Sequence, residues 1–403
     1  MTDTHHVAEG WQRLGTVLSS AARPAPSEDG VFVNMPATRG STVLFPSLEA
    51  MNRKGHQRYD HTSGYGAMGS PIQHELEKVI ATVEGGTDCQ LVGSGLAACT
   101  LPLLAFLGAG DHCLFSDNVY GPTRRFAETM LKRFGVEIAY FPPQADRAAV
   151  SALMRPNTKV VFAESPGSHT FEVQDIAMLA SVAHEHGARL FLDNTWGFGI
   201  FSPFRQGVDV SIQALTKYPA GHSDVIAGAV TVADPQSWHL LRDAAIQTGQ
   251  LCGPDECWLT LRGLRTMGVR LAQQARSALL IAQWLKEQPQ VLRVLHPALP
   301  ECPGHAIWRR DFSGAGCLFG VVLQPDYTQQ AMEAMIERLH HFGIGASWGG
   351  YESLVLPSTG SVARSFPQPE GQGPSFRLQI GLENTDDLIA DLKQALTGLP
   401  ASA

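Results

Sequence analysis

From about residue 85 to residue 232, short apolar, β-prone runs alternate with stretches of helical periodicity. The run His112–Ser116 precedes a helical pattern over Thr123–Phe134, Val136–Phe141 precedes Ala145–Met154, and Val160–Glu164 precedes Val173–His186. Arg189–Asp193, Val208–Leu215 and Val225–Val232 complete the series of strands. This alternation predicts an α/β fold with a parallel or mostly parallel sheet covered by helices on both faces.

The pattern changes near Gly253. Glu256–Lys286 becomes one long helical stretch with Trp258, Leu261, Leu264, Ile281 and Leu285 among its apolar positions, and a bend is expected at Gly263 or Gly268. Beyond it, strands (Ala315–Leu323, Phe376–Ile380) mix with helices (Thr328–Phe342, Thr385–Leu396). The last helix is opened by Asn384 and Thr385 and then by two aspartates, a cap followed by charges that suit a helix N-terminus. Residues 1–64 show no strong periodicity and read as an arm that packs on something else. The expected organisation is an arm over 1–64, a large domain over 65–255 and a smaller α+β domain over 256–403.

Composition narrows the function. A chain of 403 residues with 44% apolar and 17% charged side chains can bury a large core. A net charge of −8, without a basic cluster interleaved with aromatics, argues against nucleic acid. Seven scattered cysteines, with no Cys-x-x-Cys pair, suit a reducing cytoplasm better than a disulfide framework or a zinc site. The first residues hold no apolar signal core. Leu91–Gly110 carries no charge, yet it contains four glycines and Pro102 and is flanked by Asp88 and Asp111, so a buried loop and helix is expected there and no membrane span.

Candidate chemistry gathers at predicted strand ends: Tyr120, Glu164–Ser165, Asp193 and Lys217. In open α/β sheets this edge is where ligands bind. An aspartate and a lysine could form a plain ion pair. The glycine-rich turn Gly93-Ser94-Gly95 leading into a helix adds backbone donors for a phosphate. Cradle, lysine and aspartate together describe a pyridoxal phosphate pocket. His222, Ser223 and Asp224 are chain neighbours and cannot converge into a triad, and His184 and His186 point apart on a helix, so no metal site is expected.

At this point the chain resembles the pyridoxal-phosphate enzymes of cysteine and methionine metabolism, of fold type I, and within them the bacterial cystathionine β-lyase branch. The resemblance runs from Val33 to about Asn384 and is carried by Thr216–Asp224, Glu164–Thr170, Asp193–Trp196, Arg262–Arg270, His296–Pro300 and Ser347–Ser353. It implies a seven-stranded, mostly parallel sheet domain with a smaller C-terminal domain. It also implies that Lys217 is the Schiff-base lysine and that Asp193 partners the pyridine nitrogen, with Thr195 among the cofactor-binding residues. Gly95 and Leu96 then fall where backbone amides hold the phosphate, helped by Thr216. Tyr120 resembles the ring stacked on the cofactor, and Tyr65 the tyrosine that reaches the phosphate of a neighbouring subunit's cofactor. Arg377 resembles the clamp for the substrate α-carboxylate, with Ser347 and Trp348 beside it. Alternation supports that placement independently, since Phe376, Leu378 and Ile380 share one strand face and Arg377 takes the other.

Two positions depart from the family pattern. Ala214 replaces a phosphate-binding serine, and Tyr65-Gly66-Ala67 places alanine where many members have arginine. The function implied is a cytoplasmic homotetramer, a dimer of active-site-sharing dimers, that cleaves the Cβ–S bond of L-cystathionine or a related S-substituted cysteine in transsulfuration and methionine biosynthesis. The alternatives are a γ-lyase or γ-synthase relative on the same cofactor, and a non-catalytic pyridoxal-phosphate-binding regulatory protein.

Overall fold

The computed structural model describes residues 4–55, 57–366 and 373–399. Seven strands form the larger sheet: β1 (Asp88–Val92), β2 (His112–Ser116), β3 (Glu137–Phe141), β4 (Thr158–Glu164), β5 (Arg189–Asp193), β6 (Val210–Gln213) and β7 (Gly228–Val232). Their order is β1-β7-β6-β5-β4-β2-β3. β3, β2, β4, β5 and β6 run parallel, and β7 is antiparallel to both of its neighbours. The expected α/β fold with a mostly parallel seven-stranded sheet is therefore present.

Both faces of this sheet are dry. On β5, Leu190 and Leu192 enter one apolar cluster and Phe191 enters the other, all three fully buried. Such an uninterrupted apolar run is what a doubly covered parallel strand requires. Each such side chain contributes about 1.5–3 kcal/mol by leaving water. The uncharged stretch Leu91–Gly110 resolves into the end of β1 and the helix Gly95–Phe106. Among the described residues no helix is long and apolar enough to cross a membrane.

The long helix Pro254–Lys286 links the two sheets and runs unbroken through both of its glycines. Those glycines serve contact. A Cβ on Gly263 would stand 2.1 Å from the Ala220 carbonyl oxygen, and one on Gly268 would stand 2.7 Å from that of Trp11. The second sheet contains β8 (Val291–Leu295), β9 (Leu318–Leu323), β10 (Gly343–Ile344), β11 (Leu354–Pro357) and β12 (Ser375–Gln379), in the order β10-β11-β12-β9-β8. The helix expected over Thr328–Phe342 ends at Ile336, because the amides of His340 and His341 turn to the Asp391 carboxylate instead.

The beginning of the chain differs from the arm expected over 1–64. Thr4–Arg13 and Gly15–Ser20 are helices, and Val7, Trp11 and Leu18 are fully buried in the chain's own core. Trp11 Nε1 donates to the Ala315 carbonyl at 2.8 Å. Val7, Trp11 and Leu18 stand four and seven residues apart, the spacing of one helix face. Downstream, Phe32 is 89% exposed and Leu44 91%.

Candidate active site

Asp193 is the last residue of β5 and Lys217 stands four residues beyond the end of β6, so the parallel pairing of these strands brings both to one sheet edge. Asp193 is buried, and its Oδ1 accepts from the Thr195 amide (3.1 Å) and from Thr195 Oγ1 (2.6 Å). Cys99 Sγ donates to Oδ2 at 3.5 Å. Burial pushes the carboxyl upward, while the Thr195 and Cys99 donors and the Lys217 charge pull it back. Lys217 shows the opposite effect: burial, followed by the Arg377 charge, lowers its amine to about 8. At neutral pH about one such amine in ten is free of its proton, far more than for an ordinary lysine.

The second sheet closes over the lysine. Lys217 Nζ donates to Ser347 Oγ at 2.6 Å and lies 5.3 Å from the centre of the Trp348 ring. Ser347 has φ +76, a left-handed backbone costly for a residue with a side chain. Two positions on, Gly349 (φ +86) leaves no room for one, since a Cβ there would lie 3.0 Å from the Lys217 carbonyl carbon. Arg377 on β12 donates from Nη2 to the Ser347 carbonyl at 3.2 Å. Phe376 and Leu378 are fully buried on the opposite strand face, as the alternation requires.

The helix Gly95–Phe106 aims its N-terminus at this edge. Ser94 caps it by accepting the Ala97 amide at 3.0 Å, which leaves the amides of Gly95 and Leu96 as helix-end donors. A Cβ on Gly95 would fall 2.5 Å from Ala214 Cβ. The small residue at 214 thus matches a helix seated directly on the turn that carries Lys217. Thr216 Oγ1 is engaged locally, 3.1 Å from the Ala227 carbonyl and 3.2 Å from its amide. Tyr120 precedes the helix Gly121–Phe126 and is 41% exposed, and its amide donates to Glu164 Oε2 at 2.5 Å.

The structure therefore brings Lys217, Asp193, Thr195, Gly95, Leu96, Thr216, Tyr120, Ser347, Trp348 and Arg377 to one edge. Tyr65 stays apart: it is 55% exposed on the turn before Gly66–Met68, with no hydrogen bond to the others. Two contributors carry no signal in the sequence. Cys99 lies one helical turn after Gly95 and has no partner nearby in the chain. Glu84 is buried beneath the strand ends, where it accepts from Asn194 Nδ2 at 3.0 Å and from the Ser211 hydroxyl, and burial pushes it up to about 7.

These residues fit pyridoxal phosphate. A buried carboxylate faces the Lys217 cation, a lysine amine is softened by burial, and two helix-end amides stand over the lysine turn. No group of His, Cys, Asp and Glu suited to a metal ion occurs among the described residues.

Comparison with known proteins agrees. Residues 19–397 match the family model for the Cys/Met metabolism PLP-dependent enzymes. A protein of Rhizobium johnstonii named putative cystathionine beta-lyase is 46% identical over 375 residues, 92% of each chain. The cystathionine beta-lyase of Bordetella avium is 42% identical over 98% of each chain. The crystal structure of metB from Corynebacterium glutamicum superposes with a TM-score of 0.87 at 28% identity, covering 96% of this chain and 98% of that one. With a lysine, an aspartate and an arginine converging on one sheet edge and a family match across nearly its whole length, this chain belongs to the Cys/Met metabolism PLP-dependent enzymes.

Proposed function

We propose that the enzyme cleaves the Cβ–S bond of an S-substituted L-cysteine such as L-cystathionine, consuming one water and releasing the thiol, pyruvate and ammonia. The observation that carries this reading is Ser347, which ties base to clamp: its hydroxyl holds Lys217 Nζ and its carbonyl holds Arg377. Bound pyridoxal phosphate supplies the electron sink that makes the substrate Cα proton removable. The residues do the rest. Arg377 offers a planar fork to the α-carboxylate, which fixes the amino acid with its Cα toward Lys217. The Lys217 amine, already partly free of its proton, takes the Cα proton as general base. Asp193 would offer its charge to the pyridine nitrogen and keep it protonated. The amides of Gly95 and Leu96 would hold the phosphate.

The same reading places the enzyme in the cytoplasm as a homotetramer. All seven cysteines are free and buried, as a reducing compartment allows. The exposed apolar side chains of Phe32, Leu44 and Leu48 suit a surface covered by a second copy, and Tyr65, outside its own chain's cluster, suits a role in a neighbour's site.

Product analysis with L-cystathionine tests the reaction. Pyruvate and homocysteine support β-elimination, whereas 2-oxobutyrate and cysteine assign the chain to γ-elimination. Exchange of the Cα proton without loss of the thiol overturns both.

A further inference from the structure

We propose that Glu164 is a positioning residue: it serves as an uncharged hydrogen-bond acceptor that seats Tyr120 beside the cofactor pocket, leaving Asp193 as the only carboxylate charge there. This rests on the cofactor and not on the choice of substrate.

Glu164 ends β4 as Asp193 ends β5, and the two are register partners in a parallel pair. Their side chains therefore leave the same face of the sheet. Two carboxyls stand side by side at the pocket, and their surroundings differ. Asp193 has the two Thr195 donors, the Cys99 thiol and the Lys217 charge. Glu164 has only the Tyr120 amide and the Ser168 side chain, and it forms no ion pair among the described residues. Lys217 and Arg377 face Asp193 and Tyr120 rather than Glu164. With Lys217 beside Asp193 and no cation acting on Glu164 among the described residues, the proton stays on the carboxyl with the poorer donors. Burial and the Asp193 charge both push Glu164 well above the usual carboxylate range.

A neutral carboxyl still accepts through its carbonyl oxygen, and that is the use made of it. The Tyr120 amide sits at the start of a helix of six residues, where no helical carbonyl can take it, and Glu164 Oε2 receives it at 2.5 Å. The bond fixes the peptide plane from which the Tyr120 ring projects. An ionised Glu164 would set a second negative charge beside Asp193 and raise the protonation midpoint of the cofactor–lysine linkage.

The test uses purified, cofactor-loaded enzyme and two readouts other than turnover: the pH midpoint of the cofactor's visible absorbance and the dissociation constant of the cofactor from the apoprotein. Glu164→Gln replaces neutral with neutral and keeps the acceptor, so both readouts should match wild type, with the midpoint within about 0.3 pH units. Glu164→Ala should leave the midpoint in place and weaken cofactor retention about tenfold, the loss of roughly one hydrogen bond. A downward midpoint shift of about one unit or more in Glu164→Gln shows a charged Glu164 and overturns the proposal. Wild-type retention in Glu164→Ala overturns the seating role. If the alanine variant does not fold, the glutamine midpoint decides alone.

Discussion

Lys217 Nζ donates to Ser347 Oγ across 2.6 Å although 130 positions separate the two residues, so the amine at the end of one sheet is oriented by a loop of the other. Removing that amine should leave the fold intact and the site without its base. We expect Lys217→Ala to lose the visible band of lysine-linked cofactor and at least about a thousandfold in turnover, within the range that general acid–base help supplies. Absorbance spectra and kcat measured on one preparation check this, and retained turnover rejects the assignment.

Asp193→Asn keeps shape and loses charge. The amide can still accept from Thr195, so the protein should fold with an unchanged far-ultraviolet spectrum. The pyridine nitrogen, without an anion beneath it, should lose its proton and with it most of the activity. Activity close to wild type would show that Asp193 is structural.

His61 bridges Glu77 (2.8 Å) and Asp88 (2.9 Å) and stacks on Trp238 with ring centres 5.0 Å apart. Burial opposes its charge, but the hydrogen bonds and charges of Asp88 and Glu77 outweigh it and raise the imidazole to about 9. Because the folded value lies above the unfolded 6.5, the stabilisation is complete below about pH 6.5 and fades as pH rises through 9. After allowance for solvent screening, it contributes about 1–2 kcal/mol. His61→Gln should therefore cost that much in denaturant unfolding at pH 6 and little at pH 10. An equal cost at both pH values would show that the imidazolium charge is not the cause.

Ala67 sets the fourth expectation. The three arginines that stand nearest before it in the chain are already paired: Arg39 with Asp255 (2.7 Å), Arg53 with Glu49 (3.4 Å) and Arg58 with Asp243 (3.2 Å). None of these three is spare to stand in for the arginine that the family resemblance places at this position. The enzyme should therefore discriminate weakly between cystathionine, with its distal charge, and an uncharged S-alkyl cysteine. Ala67→Arg should move the kcat/KM ratio toward cystathionine by about tenfold or more, the worth of one charge-assisted hydrogen bond. An unchanged ratio, or a wild-type preference for cystathionine by orders of magnitude, removes position 67 from specificity.

The sheet was legible because a buried parallel strand must be apolar throughout: β2 and β5 coincide with the runs expected for them, and β4 begins two residues before its run. Lys217 and Asp193 were legible because strand ends in such a sheet share an edge. Arg377 was legible as the one charged residue on the polar face of an alternating strand, between Ser375 and Gln379. What stayed hidden depends on contacts made late in the chain's path. Gly263 and Gly268 looked like bends because a sequence does not show which backbone presses on a helix. Cys99 and Glu84 act through Asp193 and Asn194, and nothing in their own neighbourhoods marks them.

The order in which a ribosome releases the chain gives the junction of the two sheets another meaning. Gly95, Asp193 and Lys217 have all emerged by the time β7 ends at Val232, so the strands and turns that grip the cofactor can assemble while much of the chain is unmade. Ser347 and Arg377 come more than a hundred residues later. A nascent chain thus completes the residues proposed to grip the cofactor before those proposed to recognise an amino acid. The amino-acid clamp is the last part of the site that synthesis supplies, since Arg377 lies on the last strand of the second sheet.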